Sequence, residues 1–249
     1  MRAVSIVLRR DFREHRQTTA FRIMVISAGA VTVAAAAAIS IVLGRQAWLG
    51  EEAARPLLEL IMGLVAYFLP LFVLLAFIWV SASLPIVREK VNGNIECLLA
   101  TPLNPGALWM AKCLAVFLPG FGISVIATLV VVLAVNLTTI YPATGCFVLP
   151  APALLTGLVI NPLLFFALLA FMVLVALASN PDIAIAPSFV LGFGLMIGVP
   201  LGIALGAINL ASWTFALWYL AGTAVGWAVV GYLTRILSKE NVVLSSKGS

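Results

Sequence analysis

The chain has 249 residues, of which 63% are hydrophobic and only 9% are charged. A soluble domain has about 25% charged residues, so this composition excludes a soluble enzyme or binding domain, and it excludes a disordered chain, which would be polar. The net charge of +5 does not indicate a nucleic-acid partner, because the basic residues cluster at the edges of apolar stretches and no nucleic-acid-binding module is visible.

Residues 1–20 are predicted to form an amphipathic helix that lies in the membrane interface. Six arginines fall within the first 22 residues. Apolar residues recur there at helical spacing and share one face: Val4, Val7, Leu8 and Phe12. Arginines flank this face, which is typical of a helix lying in the plane of the membrane surface. A basic cap that only sets the orientation of the chain is the alternative.

Long uncharged stretches predict six membrane-spanning helices. A bilayer core of about 30 Å needs about 20 apolar residues per helix. The stretches are apolar on every face, unlike barrel strands, in which apolar and polar residues alternate. The predicted spans are 21–43, 58–87, 105–135, 153–179, 183–205 and 213–237.

The basic residues predict the orientation of these spans. With the N terminus inside, 12 of the 14 Lys and Arg residues lie on the cytoplasmic side, so both termini are predicted to be cytoplasmic. Residues 44–59 and 136–152 then form outside loops, and Asp182 marks a tight inside turn. Lys112 either extends back to the interface or lies in a part of its helix outside the membrane.

The one dense polar insertion between predicted spans is residues 88–104. Gly93 is expected to end the second helix, and residues 95–100 suit a short amphipathic helix. Asn104 and Pro105 suit the N-cap and the first position of the next helix. A short charged segment held at both ends by spanning helices suits a lever that transmits force from a cytoplasmic partner. An ordinary loop is the alternative.

The sequence offers little chemistry of its own, so we do not expect an enzyme. The single histidine, His15, lies in the basic N-terminal segment, and Cys97, Cys113 and Cys146 are too far apart for a metal-ligand pair. No lysine falls in a G-x-x-x-x-G-K-[ST] loop, so ATP-driven transport would need a separate ATPase chain. An ion-coupled carrier or channel is the alternative, although such carriers usually keep ionisable groups within the membrane. A non-transporting scaffold is a third possibility.

The segment after the second span resembles the ABC-2 type transporter permeases, the transmembrane subunits of ABC exporters. Their pattern there is roughly E-R-E-K-x-x-G-T-[LI]-E-x-L-L-[AV]-[TS]-P. The matching residues are Arg88, Glu89, Lys90, Gly93, Ile95, Glu96, Leu98, Leu99, Thr101 and Pro102. Val87 and Asn94 depart from it, standing where the family has an acidic residue and a threonine. Ala111 replaces the glycine of a later G-K pair, and residues 237–244 resemble the family's basic–Glu–apolar end.

The resemblance implies one all-α permease domain over residues 1–249, with a coupling helix in residues 88–104 and a cytoplasmic tail at 238–249. Two permease chains, identical or related, would pair with two cytoplasmic ATPase subunits. The complex would lie in the cytoplasmic membrane of a prokaryote. Those subunits would bind ATP and Mg, while this chain holds no cofactor. The residues implied in ATPase coupling are Arg88, Glu89, Lys90, Gly93, Glu96, Leu98, Leu99 and Pro102.

By the same resemblance, spans two and five would line a pathway between the two permeases, usually for export. Polar side chains inside the spans are candidates for substrate contact: Ser81, Ser83, Ser124, Thr128 and Asn161. Hydrogen bonding to neighbouring helices is the alternative role for such side chains. A mostly apolar pathway suits lipids, amphipathic drugs or apolar peptides, and family members also move polysaccharides and ions.

Overall fold

The computed structural model describes residues 2–91, 105–178 and 181–234, and this part of the chain is 90% helical, without strands. An N-terminal helix, α1, precedes six long helices, α2 to α7. Their bounds are α1 (Arg2–Gln17), α2 (Thr19–Gly44), α3 (Arg55–Val91), α4 (Pro105–Val135), α5 (Ala151–Leu155, a π-turn at Thr156–Ile160, then Asn161–Ala178), α6 (Pro181–Ala204) and α7 (Trp213–Leu233). Each of α2 to α7 contains a stretch long and apolar enough to cross a bilayer, so the prediction of six such helices is confirmed within the described residues.

Thr18 separates α1 from α2. Its extended backbone (φ −68°, ψ 141°) interrupts the helix, and its hydroxyl oxygen accepts a hydrogen bond from the Phe21 N–H at 3.3 Å. This is an N-cap, which satisfies one of the free donors at the start of α2. The predicted N-terminal helix is therefore a separate element, and it packs against α4. Its position in the membrane interface stays a prediction.

The centre of the bundle is formed by α3 and α5. In each, 61% of the most apolar stretch is buried, against 6% in α2 and 17% in α6 and in α7. α4 packs against both central helices, α6 and α7 pack against α5, and α2 packs against α3 and α4. Large apolar side chains such as Ile26, Val190 and Trp218 remain exposed on the outer helices. In a membrane these faces contact lipid or another chain.

Two glycines allow close helix crossings on α3. A Cβ atom on Gly157, in the π-turn of α5, would collide with the backbone oxygen of Ala66. A Cβ atom on Gly192, in α6, would lie 2.7 Å from a methyl group of Leu75. Small residues at helix contacts let backbones approach, and packing of this kind holds helices together in lipid, where the hydrophobic effect does not.

The loop after α4 is shorter than the predicted 136–152, so this expectation of its length was wrong. α4 continues through a π-turn (Asn136–Ile140) and a last turn (Tyr141–Thr144), and it ends at Gly145, whose φ is 70°. The buried side chain of Asn136 holds the returning chain: Nδ2 donates to the carbonyl oxygens of Val132 (2.9 Å) and Val148 (3.2 Å), and Oδ1 accepts from the Val148 N–H (2.8 Å). Asn136 therefore lies within the last turns of α4 and bonds to the loop that follows, although the sequence suggested that it belongs to a loop itself.

The loop between α2 and α3 contains two short 3-10 turns, Ala47–Gly50 and Glu52–Ala54. Lys112, on α4, is buried, at 6% exposure. Asp182 lies in the first turn of α6, directly after Pro181, which suits the first position of a helix. Residues 179–180, which precede α6, lie outside the described part of the chain.

Candidate functional site

Helix α3 is continuous from Arg55 to Val91. Its last residues therefore belong to the central charged segment, 88–104. The backbone of residues 88–90 continues α3, one of the two most buried helices. The side chains of Arg88, Glu89 and Lys90, and all of residues 92–104 with Gly93, Glu96, Leu98, Leu99 and Pro102, lie outside what is described.

The chain re-enters the bundle at Pro105, where α4 begins as predicted. Four residues later the buried side chain of Trp109 attaches α4 to α5, because its indole Nε1–H donates to the carbonyl oxygen of Ala170 at 2.9 Å. Buried indole groups generally need such a partner. Both ends of the 88–104 segment thus connect to helices that are packed into the core.

Three of the predicted pathway residues, Ser124, Thr128 and Asn161, have side chains that the structure describes. Ser124 and Thr128 are fully buried on α4, and each donates to a carbonyl of its own helix, Phe121 and Ser124 respectively, both at 2.8 Å. Their hydroxyl donors are satisfied locally and need no neighbouring helix. Asn161 belongs to a separate cluster on α5. The side chains of Ser81 and Ser83 are not among those described.

Asn161 joins three helices through what we call the central polar cluster: Tyr67 of α3, Asn161 of α5 and Tyr219 of α7. The Tyr219 hydroxyl donates to Asn161 Oδ1 at 2.6 Å, and Asn161 Nδ2 donates to the backbone oxygen of Tyr67 at 3.1 Å. The Tyr67 hydroxyl lies 3.4 Å from that of Tyr219. Tyr67 and Asn161 are fully buried. In an apolar core such a network favours one arrangement of the three helices, because its members lose partners in any other.

Local backbone irregularities bring this cluster together. Pro70 has no N–H, so the carbonyl of Ala66, four residues earlier, lacks its helical donor. Gly157 leaves room for this carbonyl at the crossing. The π-turn around Gly157, closed by the Asn161 N–H bonding to the Thr156 carbonyl oxygen, precedes the amide that bonds to α3. Turns of this kind often occur at functional positions in helices.

Sequence analysis identified Asn161 but neither of its tyrosine partners. Tyr67 and Tyr219 lie 152 residues apart, and a tyrosine in an apolar span ordinarily indicates packing. The available signal was that three of the four tyrosines of the chain, Tyr67, Tyr219 and Tyr232, fall within predicted spans. That pattern does not reveal which helices are neighbours.

The two spans that the resemblance assigns to the pathway pack directly against each other. Trp79 of α3 stacks on Phe189 of α6, with ring centroids 4.6 Å apart, and its ring lies 5.4 Å from that of Phe193. Gly192 lies on the same face of α6. α3 thus contacts α6 through aromatic rings and α5 through the glycine crossing.

Within the described ranges, no group of three or more His, Cys, Asp or Glu side chains is placed to hold a metal ion. Comparison with protein-family models, with curated proteins and with solved structures gives no significant match.

Proposed function

We propose that this chain is the transmembrane subunit of an ATP-driven exporter of the ABC-2 type. It forms the substrate pathway together with a second permease chain, and separate cytoplasmic subunits bind and hydrolyse ATP. Residues 88–104 are the coupling helix that those subunits contact. The proposal includes the orientation with both termini in the cytoplasm, which follows from the distribution of basic residues.

The observation that carries the proposal is the ten-residue match to the ABC-2 pattern between Arg88 and Pro102. Its first three residues lie on the helical extension of α3. A continuous helix transmits displacement over its length, since each turn is fixed by hydrogen bonds to the next. Movement of the segment by an ATPase would therefore reach the buried part of α3 directly.

The contacts of α3 indicate where such movement would go. Through the central polar cluster it is bonded to α5 and α7, and through Trp79 it packs on α6. Packed cores change between discrete arrangements and do not deform continuously. Displacement of α3 would then rearrange α5, α6 and α7 together, which is the change a transport pathway requires.

The proposal is tested first by finding the partner. We would place a photo-crosslinking amino acid at Leu99 and, as a matched control, at the exposed outside residue Glu51, then purify the full chain from its own membranes. The expected result is a stoichiometric cytoplasmic ATPase cross-linked from position 99 and not from position 51. A chain that purifies alone, and cross-links to no ATPase in intact membranes, would contradict the proposal.

A charge reversal then tests the role of the segment. Glu96→Arg is expected to lower recovery of the ATPase about tenfold or more, because reversing an interfacial charge leaves its partner opposed. Glu51→Arg makes the same change on the opposite side and should leave recovery unchanged. Full ATPase recovery with Glu96→Arg would show that residues 88–104 do not form the contact with the ATPase. Solute movement by the purified chain in liposomes, driven by an ion gradient without ATP, would favour a carrier or channel instead.

A further inference from the structure

The bend between α1 and α2 encloses a cleft of about 800 Å³. One set of lining residues is basic: Arg9, Arg13 and Arg16 of α1, and Arg22 of α2. The other set is apolar: Phe12, Phe21, Val25 and Ile26. The cleft exists because Thr18 interrupts the helix, so that the arginine-bearing face of α1 and the start of α2 line one space.

The spacing of the arginines concentrates positive charge at this bend. Arg9, Arg13 and Arg16 are four and three residues apart, which places them on one face of α1. Arg10 points elsewhere and pairs with Glu14 at 2.9 Å. Among the described residues, no carboxylate forms an ion pair with any of the four cleft arginines. Four like charges near one space are unfavourable without an anion, so the cleft is complementary to a negatively charged group.

The apolar side of the cleft leads into a membrane-spanning surface. Val25 and Ile26 are 38% and 71% exposed, and exposed apolar side chains continue along α2 at Val33 and Ile41. α2 is also the least buried of the six long helices, with 6% of its apolar stretch covered by protein. A ligand that satisfies both sides of the cleft is therefore anionic at one end and has a long apolar chain at the other.

We propose that the cleft binds an anionic phospholipid of the leaflet in which α1 lies. Its phosphate contacts the arginines of α1 and Arg22, and an acyl chain lies along Val25 and Ile26. Guanidinium groups bind phosphate through paired N–H donors, which makes them better suited than lysine to hold a headgroup. Basic pockets beside spanning helices on the cytoplasmic side are suited to anionic lipid headgroups. This inference does not depend on an ATPase partner.

The test uses the full chain in mild detergent, with any subunits that accompany it. Phosphatidylglycerol and phosphatidylcholine with identical acyl chains are titrated in, and bound lipid is counted by native mass spectrometry. The variant Arg13→Gln/Arg22→Gln removes one arginine from each helix. Its matched control, Arg10→Gln/Arg45→Gln, removes two charges outside the cleft. Each variant is first checked for unchanged elution in size-exclusion chromatography.

We expect the wild type to prefer phosphatidylglycerol, and the cleft variant to bind it more weakly by about tenfold or more, because two charge-assisted contacts are lost. The control should bind it as the wild type does. Arg13→Lys/Arg22→Lys, which keeps the charge but loses the paired donors, should fall between the two. Equal losses in cleft variant and control, or equal affinity for both lipids, would overturn the proposal. Displacement of phosphatidylglycerol by millimolar inorganic phosphate would assign the arginines to a free anion instead.

Discussion

Tyr219 makes the shortest side-chain contact of the central polar cluster, 2.6 Å from its hydroxyl to Asn161 Oδ1. The 3.4 Å separation between the two tyrosine hydroxyls is longer and weaker. In lipid, a hydrogen bond between helices contributes about 0.6 kcal/mol on average and up to about 1.7 kcal/mol. At the residue scale, each hydroxyl should therefore contribute more to stability the shorter its hydrogen bond and the deeper its burial.

Removal of single hydroxyls tests this order. Tyr219→Phe should lower the free energy of unfolding by about 1 kcal/mol, because it removes the short bond and leaves the Asn161 oxygen without this donor. Tyr67→Phe should cost less. Tyr232→Phe, on a side chain that is 67% exposed, is the control and should have no effect. Unfolding in mixed detergent micelles measures all three, and equal stability of Tyr219→Phe and the control would exclude a structural role for the cluster.

The crossing of α3 and α5 depends on one missing side chain. The π-turn at Thr156–Ile160 places Gly157 against the backbone of Ala66. Backbone cannot yield as a flexible side chain can, so any side chain here separates the two central helices. The irregular turn and the glycine thus act together at the element scale.

Gly157→Ala should destabilise the protein by about 1–3 kcal/mol, the usual cost of overpacking, although alanine is the better helix former. Gly222→Ala is the matched control, since nothing lies within 4 Å of a Cβ atom at this position of α7; it should be neutral or stabilising by up to about 1 kcal/mol. Thermal stability in detergent distinguishes the two. A Gly157→Ala protein as stable as the control would mean that the crossing can open without cost.

At the scale of the whole molecule, burial and charge are distributed along different directions. Burial decreases from α3 and α5 outward to α2, α6 and α7, so the apolar faces of the outer helices are available to lipid or to another chain. Basic residues instead divide along the membrane normal, 12 against two by the predicted orientation. The first distribution describes packing, and the second predicts topology.

Cysteine labelling tests that orientation. Cys146 is exposed in the loop after α4, whereas Cys113 is buried. With Cys97 and Cys113 changed to Ser, a membrane-impermeant maleimide should label Cys146 in intact cells. With Cys113 and Cys146 changed to Ser, Cys97 should be labelled only after permeabilisation. The reverse pattern would place residues 88–104 outside, away from any ATPase, and would contradict the proposed function.

The sequence by itself determined the number of long apolar helices and most of their ends. Span length is set by bilayer thickness, and helix ends carry local signals such as Pro105 and Pro181. Local signals failed at Asn136, where turn-forming residues instead continue α4 through a π-turn. The tertiary structure alone decided which helices are central, that Tyr67 and Tyr219 meet at Asn161, and that Gly157 is the crossing point. The physical reason is that helices apolar on every face carry no periodic signal of which face is buried.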